Sequence, residues 1–228
     1  MTESLRAAAQ WLNLHDSAFP AGRLVHSNGI ESWLHAFPDA GAERIIELVI
    51  DYVTASVATL DAVVGAHAWA TDDAGQLAGL DELLLSYKTS ENARTASLEP
   101  GRRLAQTVRR VAMPCGADEY LDAVIAEQAA GNIAVVESVV QAGIGIDHPT
   151  AIMGSLRSAM SSAFSACVRL GRLGSIGAQR ALVASTPDLA KLVDVVIATP
   201  LDEVTNNTFE LEVFGMRHRL MSPRLFAS

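Results

Sequence analysis

The sequence predicts an all-α protein: a single compact multi-helix domain of about eight to ten helices spanning residues 1–228, with an irregular tail over about 201–228. Three observations point there. Strand signals are sparse, with few alternating β-branched runs. Ala and Leu are the commonest residues, joined by Glu, Gln and Arg, and all are good helix formers. Proline is absent from Asp39 to Glu99, from Cys115 to His148 and from Thr150 to Thr186, which leaves room for long uninterrupted helices.

Taken in order, Ser4 can cap a first helix running to about Leu14, with Ala8, Trp11 and Leu12 on one side. A second helix is expected from about Ser27 to Ala36, stopping before Pro38. From Ala42, Ile45, Ile46, Val49, Ile50, Val53, Val57 and Leu60 recur at three- and four-residue spacing, and this amphipathic helix should reach Ala70, kinked near Gly65. Leu80, Leu83, Leu84 and Tyr87 define a helix reaching about Ala96. Pro100 then suits the first turn of the next one, which Met113-Pro114-Cys115-Gly116 breaks. Helices over Asp118–Ala130 and Asn132–Ala142 follow. Asp147-His148-Pro149-Thr150 starts another that runs through Leu170. Beyond the Gly171–Gly177 turn, one helix should end near Ser185, and Pro187 should open the last.

Half of the 228 residues are hydrophobic and 19% are charged, enough for a sizeable core with apolar surface left for partners or self-association. A net charge of −9 argues against a nucleic-acid partner. Cys115 and Cys167 lie outside any metal spacing and read as reduced thiols. The first residues lack a signal-peptide pattern, and no charge-free apolar run approaches about 18 residues. A cytoplasmic protein with no membrane span is expected.

The densest stretch is Asp16–Glu31. Pro20, Gly22 and Gly29 shape the backbone, Phe19 anchors it, and Ser27 or Asn28 can cap the helix that Glu31 favours electrostatically. His15-Asp16-Ser17 invites a hydrolase reading, but neighbours on a chain do not form a triad and no Gly-x-Ser-x-Gly elbow is present. Asp16 and Ser17 read better as turn and cap residues. His26 would need companions to hold a metal, with His35 and His218 as the candidates, and a structural role suits it better. Gly171-x-x-Gly174-x-x-Gly177 and Gly143-x-Gly145 lack the features of phosphate loops, so no nucleotide or other cofactor is expected.

Four passages carry a family resemblance. Asp16, Ser17, Pro20, Gly22, His26, Ser27, Gly29 and Glu31 match the signature D-S-x-x-P-x-G-x-x-x-H-S-x-G-x-E of the urease accessory protein family UreF, with Arg23-Leu24-Val25 where many members have Gly-Phe-Ser. Arg94, Ser97, Gly101 and Leu104 resemble its block R-x-x-S-x-x-x-G-x-x-L. Arg169–Arg180 resembles R-L-x-P-L-G-Q-x-x-G-Q-R through Gly174, Gln179 and Arg180, with Arg172 in place of the proline and Ser175 in place of a glutamine. Met216–Ser228 resembles M-R-H-E-x-x-x-S-R-L-F-x-S through His218, Arg224, Leu225 and Phe226, with Arg219 and Pro223 departing.

The resemblance implies a non-enzymatic chaperone of nickel insertion. Such a homodimer would bridge a UreD/UreH-type accessory protein and the GTPase UreG on apo-urease, and regulate UreG. It places partner contacts on the matched residues, with Arg224, Leu225 and Phe226 docking on UreD/UreH. A helical hydrolase or metalloenzyme using His15, Asp16, Ser17 or His26, and a helical scaffold unrelated to urease, are the alternatives.

Overall fold

The structure, a computed structural model, describes residues 3–22, 25–218 and 224–227. Ten helices and a short 3₁₀ turn, Leu201–Glu203, form a single compact chain with no strand among the described residues. The helices are α1 Glu3–Leu14, α2 Ile30–Ala36, α3 Ala42–Trp69, α4 Ala74–Tyr87, α5 Glu91–Arg110, α6 Asp118–Ile125, α7 Ile133–Ile144, α8 His148–Arg169, α9 Ser175–Ala198 and α10 Phe209–His218. The core is built where α3, α5, α7 and α8 meet; α9 lies along α8, and α10 covers α2.

The apolar period read from Ile45 onward buries Ile45, Val49, Val53, Val57 and Leu60. Length and composition would let α3 cross a membrane, but most of its apolar window is spent on the interior of the fold. Between Val53 and Asp61 the helix widens into a π stretch. The carbonyls of Ala55 and Thr59 accept N–H bonds from Asn207 and Thr205, both at 3.0 Å. Thr59 Oγ1 also donates to the Thr205 carbonyl at 2.7 Å. The irregular turn thus ties down the segment that leads into α10.

Several expected boundaries move. Ser4 lies inside α1, and α2 starts at Ile30, because Asn28 and Gly29 both have positive φ and hold the chain out of the right-handed helix. The helix expected to reach Ala96 ends at Tyr87; Ser90 caps the next by accepting from Ala93 N at 3.1 Å. The helix expected over Asp118–Ala130 stops at Ile125, before the positive φ of Glu127 and Gly131.

Pro100 and Pro187 start no helix; each sits within one. An interior proline costs about 3 kcal/mol, and packing on both sides of it must exceed that. For α9 the buried residues are Ala178, Ala181 and Leu182 before the proline and Leu189, Val193 and Val196 after it. The tail, expected to be irregular, contains α10.

Glycine sets the closest approach in the core. A Cβ on Gly101 would lie 2.0 Å from the Gly131 carbonyl oxygen and 2.8 Å from Ile133 N, so α5 touches the turn before α7 backbone to backbone. Gly79, on the exposed side of α4, has open space around it. Gly101→Ala is expected to destabilise the fold by about 2–4 kcal/mol. Gly79→Ala should stabilise it by about 0.5–1 kcal/mol. Urea unfolding of the two variants beside the parent chain measures both.

Candidate functional site

Sequence-distant family residues meet at Glu31. Its side chain is buried in the first turn of α2 and takes partners from α10 and the tail. Oε2 lies 2.7 Å from His218 Nε2 and accepts from Phe226 N at 3.2 Å, while Oε1 accepts from Leu225 N at 2.6 Å. A buried carboxylate is tolerated only when its acceptor sites are filled, and here three partners fill them. Ala227 N adds a 3.0 Å bond to the Val25 carbonyl.

Gly29, with φ of 85°, allows α10 to lie this close: a Cβ there would stand 2.3 Å from the Leu211 carbonyl oxygen. Phe226 is buried under the Arg169 guanidinium, 4.5 Å from its ring centroid, whereas Arg224 and Leu225 are exposed. Arg219 and Pro223, the two departures in the tail, lie outside the described residues, as do Arg23 and Leu24.

Arg172, which stands in the family's proline position, clamps this assembly from beneath. Its guanidinium donates to the carbonyls of Leu34 (2.7 Å), Phe37 (3.2 Å), Pro38 (2.7 Å) and Ala40 (3.3 Å), capping the C-terminal end of α2.

Ser97 and Gly101 belong to a second buried centre. Asp81, fully buried, accepts from Gly131 N, Asn132 N, Asn132 Nδ2 and Tyr120 Oη at 2.5–3.0 Å, and Ser97 Oγ donates to Asn132 Oδ1 at 2.7 Å. Burial, reinforced by the Asp81 charge, raises the Tyr120 pKa and keeps its hydroxyl a donor. Arg94 is exposed and donates through Nε to the Lys88 carbonyl at 2.8 Å. Gly174 precedes α9, and Gln179 and Arg180 stand exposed on that helix, away from both centres.

Between these centres lies a cavity of about 200 Å³, lined by Tyr52 and the π stretch that follows it (Ser56, Asp61), by Ser138 and Glu137 of α7, by serines of α8, and by His26. Lys88 Nζ sits 2.7–2.8 Å from both oxygens of Asp61 at its wall.

Of the residues of the hydrolase reading, His15, Asp16 and Ser17 line one cleft, while His26 lines the cavity described above. Asp16 Oδ1 accepts from Ala18 N at 2.7 Å, as a turn residue would. His15 faces Gln141 at 3.2 Å and Glu137 at 3.6 Å, and His26 approaches Glu99 at 3.8 Å. Ser17 is exposed and makes no hydrogen bond to either ring. Pro20 accepts from Thr107 Oγ1 at 3.2 Å, and Gly22, at φ 74°, lets the Arg103 side chain lie close. Ser27 is buried, and its carbonyl accepts from Ile30 N at 3.0 Å. Among the described residues, no three His, Cys, Asp or Glu side chains are grouped to hold a metal ion. His35 is exposed, far in role from the buried His26 and His218.

The model of the family UreF matches residues 40–186, more than half of the chain. The chain belongs to the UreF family. Relatives named urease accessory protein UreF align over nearly all of it. One from Rhodopseudomonas palustris (strain TIE-1) is 30% identical over 222 residues, covering 96% of this chain and 90% of the relative. One from Corynebacterium glutamicum (strain R) is 27% identical over 217 residues, covering 95% and 96%. One from Methylobacterium radiotolerans is 26% identical over 231 residues, covering 99% and 97%. As a UreF-family chain it is a urease accessory protein. The Glu31 assembly joins residues that lie on either side of the 40–186 match.

Sequence reading missed the roles of Asp81, Asn132, Arg169 and Arg172, which depend on distant amides, carbonyls and rings. It also missed the outer face of α10, although Phe209, Val213 and Met216 stand at helical spacing. All three are exposed, while Leu211, Gly215 and His218 fill the opposite, buried face.

Two predictions follow from these environments. Glu31→Ala should release the Leu225 and Phe226 amides to fast hydrogen exchange, whereas changing the exposed Arg224 to Ala should leave them protected. The second concerns acid. Burial holds His26 below its ordinary 6.5, with Glu99 opposing and Arg103 assisting. Burial also lowers His148, which stacks on Trp69 at 4.5 Å, with the Ala66 backbone bond opposing and His67 assisting. A histidine with a lowered folded-state value stabilises the fold in full above pH 6.5, and that stability is lost as pH falls below 6.5. Unfolding free energy should therefore drop from pH 7 to pH 5, with a shallower slope in His26→Asn/His148→Gln; an equal slope would refute this assignment.

Proposed function

We propose that the chain acts in the cytoplasm as a non-enzymatic adaptor of nickel insertion into apo-urease. A homodimer of it bridges a UreD/UreH-type accessory protein and the GTPase UreG, and regulates UreG. The observation that carries the reading is an exposed apolar face beside the Glu31 centre. Phe209 (69% exposed), Val213 and Met216 line the outer side of α10, and Leu225 (51% exposed) stands at the same end, held through its amide by Glu31. Phe37, also exposed, packs edge-on against Phe214 and extends the apolar surface toward α2.

Exposed aromatic, Met and Leu side chains on rigid supports are the usual anchors of a protein interface. This face is the docking site for the UreD/UreH-type partner, with Leu225 and Arg224 as contacts and Phe226 as the internal anchor that presents them. The remaining helical body is the platform for UreG. Removing everything after Gly215 would also remove His218 and Phe226 from the interior, so it tests folding along with docking. Surface changes separate the two.

Val213→Asp/Met216→Asp should keep the parent's thermal midpoint and lose co-purification with the cognate UreD/UreH-type protein, with urease activation in cells falling in parallel. Undiminished capture would place the docking face elsewhere.

A further inference from the structure

The cavity of about 200 Å³ between the two buried centres is left with hydroxyls that the fold does not satisfy. Ser56 (6% exposed) and Ser138 (2% exposed) both line it, and neither side chain makes a hydrogen bond among the described residues. Each hydroxyl gives onto the open space rather than onto packed side chains. Tyr52 lines the same cavity, and its hydroxyl is also unbonded. Burial, with the Asp61 charge adding to it, pushes the Tyr52 pKa up and keeps that hydroxyl a donor. A buried polar group without a partner is costly, and three of them border one void.

Local structure places them there. Ser56 belongs to the π stretch of α3, an irregularity that recurs at functional sites. Further along α3, Gly65 leaves room for Ser138, since a Cβ would stand 2.7 Å from its Oγ. The charged groups on the wall are already engaged. Asp61 pairs with Lys88, Glu137 faces His15, His26 faces Glu99, and Glu212 accepts from Asn206. Apolar side chains, among them Val57, Ala62, Ile133, Ile152 and Leu211, make up most of the remaining surface. The exposed Asn28 and the half-buried Asn206 and Glu212 also line the cavity, so it opens to solvent beside α10.

From this lining we propose that the cavity is a binding site for a small uncharged amphiphile, a molecule with an apolar body and a hydroxyl or carbonyl group that bonds the free serine hydroxyls. No charge on the wall is left to pair with an ion, and a bare hydrocarbon would leave the hydroxyls unbonded. A dry apolar cavity of about 150 Å³ admits benzene, so this one holds a single ring with a short polar arm. The site does not depend on the adaptor reading.

Calorimetric titration of the full chain with benzyl alcohol, toluene and benzoate tests it. Benzyl alcohol should bind saturably at one site, toluene about threefold to tenfold more weakly, and benzoate not at all. Ser56→Ala/Ser138→Ala should reduce the preference for the alcohol over toluene to less than about twofold. Ser56→Leu, which fills the void, should abolish binding while keeping the parent's circular dichroism spectrum. If Ser56→Leu does not fold, the double alanine variant, which removes only two oxygens, decides the matter. An absence of saturable binding would leave the cavity to water alone and overturn the proposal. Equal affinity for benzyl alcohol and toluene, binding of benzoate as tight as that of the alcohol, or a preference unchanged by the double alanine variant would overturn it as well.

Discussion

A carboxylate taken out of water costs several kcal/mol unless its oxygens are bonded, and Glu31 is buried at a point where three segments must converge to provide those bonds. Helix α2 supplies the acid, α10 the His218 ring, and the tail two backbone amides. The geometry holds only because Gly29 permits backbone contact with α10 and because Arg172 fixes the other end of α2. The outer apolar face of α10 is therefore supported from inside by a polar centre, which also holds the backbone of Leu225 and Phe226.

The helical body was legible because its signal is local. The apolar period of α3, the capping aspartate of α8 and the glycine-bounded start of α9 can be read from neighbouring residues alone. Failures occurred where distant parts of the chain decide. Pro100 and Pro187 look like helix starts by their own chemistry, yet buried residues on either side carry the helix through them. Asn28 looks like a cap and is instead part of a left-handed turn.

The site divides in the same way. Asp16 acts in its local turn, as its residue type suggests. Glu31, His218 and Phe226 could be singled out through family likeness, but not joined, since nothing in their spacing says that a carboxylate in the second helix receives the amides of Leu225 and Phe226. Arg172 shows the opposite: where the family resemblance has a proline, this chain has a side chain that holds four carbonyls. A departure from the motif became a support for α2.

The π stretch of α3 links the interior to that outer face. Its loosened turns leave the carbonyls of Ala55 and Thr59 to receive residues 205 and 207, so the track on which α10 begins is laid by an irregularity in the central helix. A π stretch holds a residue more than a regular helix would fit in the same turns. Shortening α3 by that residue would improve its own hydrogen bonding while withdrawing the anchor of the segment ahead of Phe209. The aim of that outer apolar face is thus geared to an imperfection deep in the body, and a more regular core would point it elsewhere.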